Sequence, residues 1–161
     1  MHIIETVSYS DLELRSDGST LSGLVIPFNK PGRVKKGMRV LQEQFLPDSV
    51  SWQEGVKLSR LHNPLEVIAS YPHSMQLEAR ADGIHWSAQP AENGLSLEVR
   101  EQVKAETLRG CSAEFYAIAD HFEGQQRTIS KAVLVGISLV PNPAYPSTHL
   151  EARQSKRRFI L

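Results

Sequence analysis

Residues 109–120 read RGCSAEFYAIAD. A glycine, the chain's single cysteine and a serine come first, and from there the residues alternate in the manner of a strand. The fold class turns on that reading, because the stretch joins the best helical pattern in the chain to its longest strand-like region. Upstream, LSLEVREQVKAETLRG (95–110) carries an apolar stripe of Leu95, Val99, Val103 and Leu108, with Gly110 placed to cap the helix. Downstream, FEGQQ (122–126) signals a turn between strands, and RTISKAVLV (127–135) and GISLVPN (136–142) read as two more strands.

Further out, STLSGLVIPFN (19–29) reads as a strand whose glycine suggests a bulge and whose proline suggests an edge. A basic loop over Lys30–Arg39 leads into an alternating run ending at Phe45, and LPDSVSWQEG (46–55) carries the start and stop signals of a short helix. VKLSRLHN (56–63) reads as a strand with His62 at its end. Residues 67–94 hold two or three short strands joined by the turn signals ADG and AENG. Many short strands around one or two helices predict a mainly β, α+β domain, built as a barrel or folded sheet.

Composition narrows the function. The 161 residues suit one domain with a single core, and 40% hydrophobic against 22% charged residues is ordinary for a globular chain. Eighteen basic and eighteen acidic side chains cancel, which argues against a nucleic-acid partner. No apolar run approaches the roughly 18 to 20 residues of a membrane span, and residues 1–19 lack the order of a signal peptide, so a cytoplasmic location is expected. One cysteine excludes an internal disulfide, and the six histidines are scattered without zinc spacing, so a structural metal site is not expected.

Three readings of the opening stretch stay open on residues alone: Ser112 as nucleophile, Cys111 as nucleophile, or a strand edge of small residues. A serine hydroxyl needs a base to take its proton, and His62, where a strand meets a loop, is the best-placed histidine. His73, His85, His121 and His149 lie in polar or turn-like surroundings and read as surface residues.

The order of motifs over roughly residues 20–153 resembles the prohead protease family of tailed bacteriophages. The matching pieces are LSGLVIPFN (21–29), EQFLPDSV (43–50), LSRLHN (58–63), LRGCSAEF (108–115) and LVGISLVPNPAYP (134–146). The resemblance implies a serine endopeptidase similar in fold to herpesvirus assemblins, a small β-barrel surrounded by helices. His62 would then be the general base and Ser112 the nucleophile, with Cys111 on the opposite face of the strand. It also implies capsid protein and scaffold as substrates, self-cleavage, self-association, no cofactor, and work inside the procapsid in the bacterial host. The family's glutamate, two residues before the serine of the closing strand, is replaced here by Gly136. Glu114, two residues after Ser112 and so on the same strand face, is the substitute candidate, and Ser138 a weaker one. The missing glutamate also admits a catalytically degenerate scaffolding module as the alternative. The expected organisation is an N-terminal segment (1–19), a protease domain (20–153) and a basic tail (154–161), the tail serving as a frayed terminus or a processing segment, and the Lys30–Arg39 loop as a solvated loop or a flap.

Overall fold

Extended backbone is favoured where apolar residues recur at every second position, as at Cys111, Ala113 and Phe115, because one face of the strand is then apolar. The computed structural model describes residues 2–8 and 14–141. Its strands are β1 (Glu5–Ser8), β2 (Leu14–Asp17), β3 (Thr20–Pro27), β4 (Gly32–Lys36), β5 (Arg39–Phe45), β6 (Val50–Arg60), β7 (Val67–Ser70), β8 (Met75–Arg80), β9 (Gly83–Ala88), β10 (Gly110–Glu123) and β11 (Gln126–Val140), with one helix, α1 (Gly94–Lys104), before β10.

The strands form two sheets. One has seven strands: β1, β10, β11, β5 and β4 run in that order, and β6 also pairs with β11 and carries β7 on its other side. The other has four, in the order β2, β3, β9, β8. The long strand β11 organises the first sheet, since its opening residues pair in parallel with β5 and its later ones in parallel with β6. A hairpin with Gly124 at φ 63° joins it to β10.

One apolar cluster draws on both sheets, with Leu21, Ile26, Ile84 and Trp86 from the smaller and Phe45, Leu58, Phe115 and Ile137 from the larger. Phe45 and Phe115 meet edge to face at 5.1 Å. Each such side chain contributes about 1.5–3 kcal/mol by leaving water. On β10 the inward residues are Cys111, Ala113 and Phe115, which leaves Ser112 and Glu114 on the other face.

The mainly β expectation holds, while the architecture differs from a closed barrel surrounded by helices: two sheets form the body, and the described residues contain one helix. The helix expected over 46–55 is instead a tight turn followed by β6. Asp48 adopts a left-handed φ of 63°, Ser49 N–H bonds the Leu46 carbonyl, and from Val50 the chain is held by the β11 ladder, which outweighs the local helix signals. Lys30–Arg39 is largely the β4–β5 hairpin, turned at Gly37.

The helix stops at Lys104, capped at its start by the Asn93 side chain, and Leu108 packs into the core from outside it. Gly110 is therefore no helix cap: it opens β10 opposite Val140. The two runs over 127–142 merge into the single strand β11. β3 lies between β2 and β9 and not at an edge, and its irregularity falls between Leu24 and Ile26 and not at Gly23. The basic tail, 154–161, lies outside the described residues. No helix among the described residues is long and apolar enough to cross a membrane.

Candidate active site

Register brings the polar residues of four strands together. Ser8, Ser112, Ser138 and Ser59 stand opposite one another across β1, β10, β11 and β6. Two residues along, the next row on the same face is Thr6, Glu114, Gly136 and Lys57. A strip of serines and one carboxylate thus lines the face turned away from the core.

His62 reaches this face because β6 ends in an abrupt turn. Leu61 and His62 have φ of 54° and 57°, an uncommon conformation for two successive residues other than glycine. Local hydrogen bonds hold it: Leu61 N–H bonds the Leu139 carbonyl, Asn63 N–H that of Arg60 and Glu66 N–H that of Asn63, while the Asn63 side chain accepts from Leu65 N–H at 2.9 Å. His62 N–H donates to Ser138 Oγ at 2.9 Å, and Ser138 Oγ lies 2.8 Å from Ser59 Oγ, both serines being buried. Strain of this kind, over-determined by its surroundings, is characteristic of functional sites.

The turn sets His62 Nδ1 2.7 Å from Glu114 Oε2, with the two side chains 26% and 30% exposed. The His62 hydrogen bond holds the Glu114 carboxyl below the usual carboxylate range against the opposing pull of burial. An ionised carboxylate can only accept, so the shared proton is on Nδ1, and in the neutral imidazole Nε2 is the nitrogen left to act as a base.

Ser112 shares the face of Glu114 but is 1% exposed, and its hydroxyl donates to the Val7 carbonyl at 3.4 Å. Among the described residues no hydrogen bond joins it to His62. The geometry therefore assembles His62 with Glu114, and places Ser112 beside them with its Oγ turned towards β1. Apo sites commonly hold such bonds slack, and a rotation about χ1 is the only motion a serine side chain has.

Cys111 points into the core, as strand alternation requires. Burial pushes its thiol up to about 12, with the Trp86 side chain opposing, which makes it a packing residue and a poor nucleophile. His73 and His121 are exposed, His85 is paired with Asp82 at 2.7 Å, and His149 lies outside the described residues. No cluster of three metal-capable side chains occurs among the described residues.

Two features of the site escape a reading of single residues. Arg60, the last residue of β6, grips Glu66 through both carboxylate oxygens at 2.8 and 3.0 Å, and bonds Gln102 at 2.9 Å and Glu98 on α1. It thereby pins the histidine turn to the helix that precedes the serine strand. Ser138, which the sequence offers as a partner for the imidazole, instead holds the His62 backbone. Neither role has a local signal, because each depends on which strands are neighbours.

The family model described as Caudovirus prohead serine protease matches residues 6–159 of the chain. No curated protein and no solved structure matches the chain.

Proposed function

The chain belongs to the caudovirus prohead serine protease family, and from that premise we propose that its peptidase chemistry is carried by Ser112, His62 and Glu114. Membership makes it a serine endopeptidase of capsid maturation, acting on capsid proteins within the procapsid. The observation that supports the residue assignment is the His62 Nδ1–Glu114 Oε2 pair at 2.7 Å, with Ser112 two residues along on the same strand face.

In this reading Ser112 Oγ leaves the Val7 carbonyl and donates to His62 Nε2. As Oγ attacks the scissile carbonyl, Nε2 takes its proton, and the carboxylate of Glu114 stabilises the imidazolium without itself being protonated. Nε2 then delivers the proton to the departing amine, leaving an acyl-serine ester. Water, deprotonated by the same nitrogen, hydrolyses the ester and restores the hydroxyl. Glu114 at the Nδ1 position supports catalysis over the degenerate scaffolding role, since the carboxylate missing at Gly136 is supplied from the adjacent strand.

The proposal extends to scaffold, or the scaffolding segment of the major capsid protein, as substrate, to self-cleavage, to self-association and to residence in the host cytoplasm before assembly. It takes residues 20–153 as the protease domain, with 1–19 contributing strands to both sheets and 154–161 as a tail. Kinship with herpesvirus assemblins belongs to it as a Ser/His site built on a sheet and not as a closed barrel.

Intact mass spectrometry after exposure to a fluorophosphonate tests the assignment. Wild type gains one adduct and Ser112→Ala gains none; an adduct that persists in Ser112→Ala assigns the nucleophile elsewhere. Absence of any adduct, with capsid protein present and both proteins folded, refutes an activated Ser112.

A further inference from the structure

Glu114 and Gly136 stand directly opposite each other on β10 and β11. Gly136 is an unfavourable choice on local grounds. It occupies the middle of an internal strand, paired with β10 on one side and β6 on the other, where glycine loses the most backbone freedom and offers no side chain to pack. Its backbone conformation does not demand glycine either, since it is absent from the positive-φ residues.

What demands glycine is space. A Cβ on residue 136 would come within 2.3 Å of Glu114 Oε1 and 3.3 Å of Glu114 Cδ. The carboxylate lies in the volume that a side chain at 136 would fill. Its other oxygen takes the hydrogen bond from His62, so a displacement of the carboxyl group bears directly on that contact.

We infer that Gly136 is a positioning residue of the active site: it provides the vacancy that lets Glu114 reach across the strand pair and hold His62 Nδ1. Opposed residues on neighbouring strands carry Cβ atoms about 4.5–5.5 Å apart, so a side chain from either strand can enter the same volume. The carboxylate and the vacancy are therefore exchangeable between the two positions, because a Cβ at 136 and the Glu114 carboxyl group claim the same volume. This inference rests on the assignment of His62 as the base, and deepens it.

The test separates positioning from chemistry by two readouts on the full-length chain. The first is the His62 tautomer, read from long-range 1H–15N correlations, and it needs no hydrolysis. The second is the rate of Ser112 acylation by a fluorophosphonate. Wild type shows Nδ1–H with a bare Nε2. Glu114→Gln loses that preference and is acylated roughly 10³–10⁴-fold more slowly, the scale of losing the triad acid. Gly136→Ala, with its carboxylate displaced, shows mixed tautomers and a rate about 10–100-fold below wild type, yet adds less than about 3-fold in the Glu114→Gln background, because two changes to one contact are not additive. The exchanged double variant, Glu114→Gly with Gly136→Glu, regains Nδ1–H and comes within about 10-fold of wild type.

A Gly136→Ala protein with the wild-type tautomer and rate overturns the inference, as does an exchanged variant that folds with mixed tautomers. Should Gly136→Ala alone not fold, Glu114→Gly with Gly136→Ala removes the clash and folds; failure of that variant places the requirement for glycine elsewhere and also overturns it. Tautomers that follow the pattern while wild type resists acylation uphold the pairing and refute the catalytic assignment beneath it.

Discussion

Truncating Ser138 to alanine should weaken both the fold and the site, and the structure sets how much. The Ser138 side chain is fully buried, and its Oγ serves two partners, His62 N–H at 2.9 Å and Ser59 Oγ at 2.8 Å. Ser138→Ala removes both contacts and leaves two polar groups unmatched, each costing about 1–3 kcal/mol when water cannot replace the partner. Water reaches the half-exposed His62 turn in part, so the lower end applies and the total is about 2–3 kcal/mol. Ser59→Ala removes one contact and leaves the His62 tether in place, for about 1 kcal/mol. With a urea slope near 2 kcal/mol per molar, the midpoints fall by about 1–1.5 M and about 0.5 M respectively. Function separates the two further. The left-handed turn at Leu61 and His62 carries strain of order 1–3 kcal/mol per residue, and Ser138 is one of the contacts that hold it. Fluorophosphonate acylation of Ser112 should drop about 10–100-fold in Ser138→Ala and stay within about 3-fold in Ser59→Ala, a spread of roughly 1–3 kcal/mol in barrier. Equal midpoints for the two variants, with acylation unchanged in both, would refute the assignment of Ser138 as the tether of the base.

Three further outcomes are expected. The Cys111 thiol, buried and pushed up to about 12, stays unmodified by a disulfide reagent at pH 8 in the native protein and reacts fully in denaturant; fast native labelling would contradict its inward orientation. The Glu114 carboxyl is depressed in the folded state by His62, so its contribution to stability is present above the ordinary glutamate value of about 4.3 and is lost as pH falls through the lower folded value. Urea midpoints at pH 6 and pH 3 should therefore show wild type losing more than Glu114→Gln, and parallel losses would count against the pair. Arg127 is buried and bonds Glu43 at 2.8 Å, Asp120 at 2.8 Å and Glu5 at 2.6 Å, tying β1 and β5 to the β10–β11 hairpin. Arg127→Ala should cost about 3–5 kcal/mol in chemical denaturation by removing the counter-charge of a buried carboxylate, and a loss under 1 kcal/mol would show the cluster to be solvated.

The legible part of the site was what strand alternation encodes. From RGCSAEF alone, Ser112 and Glu114 share a face and Cys111 takes the other, and the structure keeps all three there. Position at a strand end likewise marked His62. The fold was legible as strands and turns, but not as an arrangement: nothing in QRTISKAVLVGISLV says that one strand of 15 residues pairs with β5 over its first part and β6 over its second. Pro47-Asp48-Ser49 misled for a related reason. The residues that start helices also make tight turns, and the ladder beyond Val50 decided between the two.

Gly136 shows most clearly where a one-dimensional reading stops. Taken in sequence it is a glutamate gone missing, which leaves open a substitute at Glu114 and a degenerate module. Across the sheet it is opposite Glu114, and the same glycine becomes the space that the replacing carboxylate occupies. The two interpretations differ by one piece of information, the β10–β11 register, which depends on a hairpin turned at Gly124 and on three irregularities along the ladder. A slip of one residue would move Glu114 to the core face and Ser112 with it, so the register that builds the apolar core is also what assembles the acid and the base. Selection on packing and selection on chemistry therefore act on the same strand pair, and a core substitution that shifts this register should cost activity before it costs the fold.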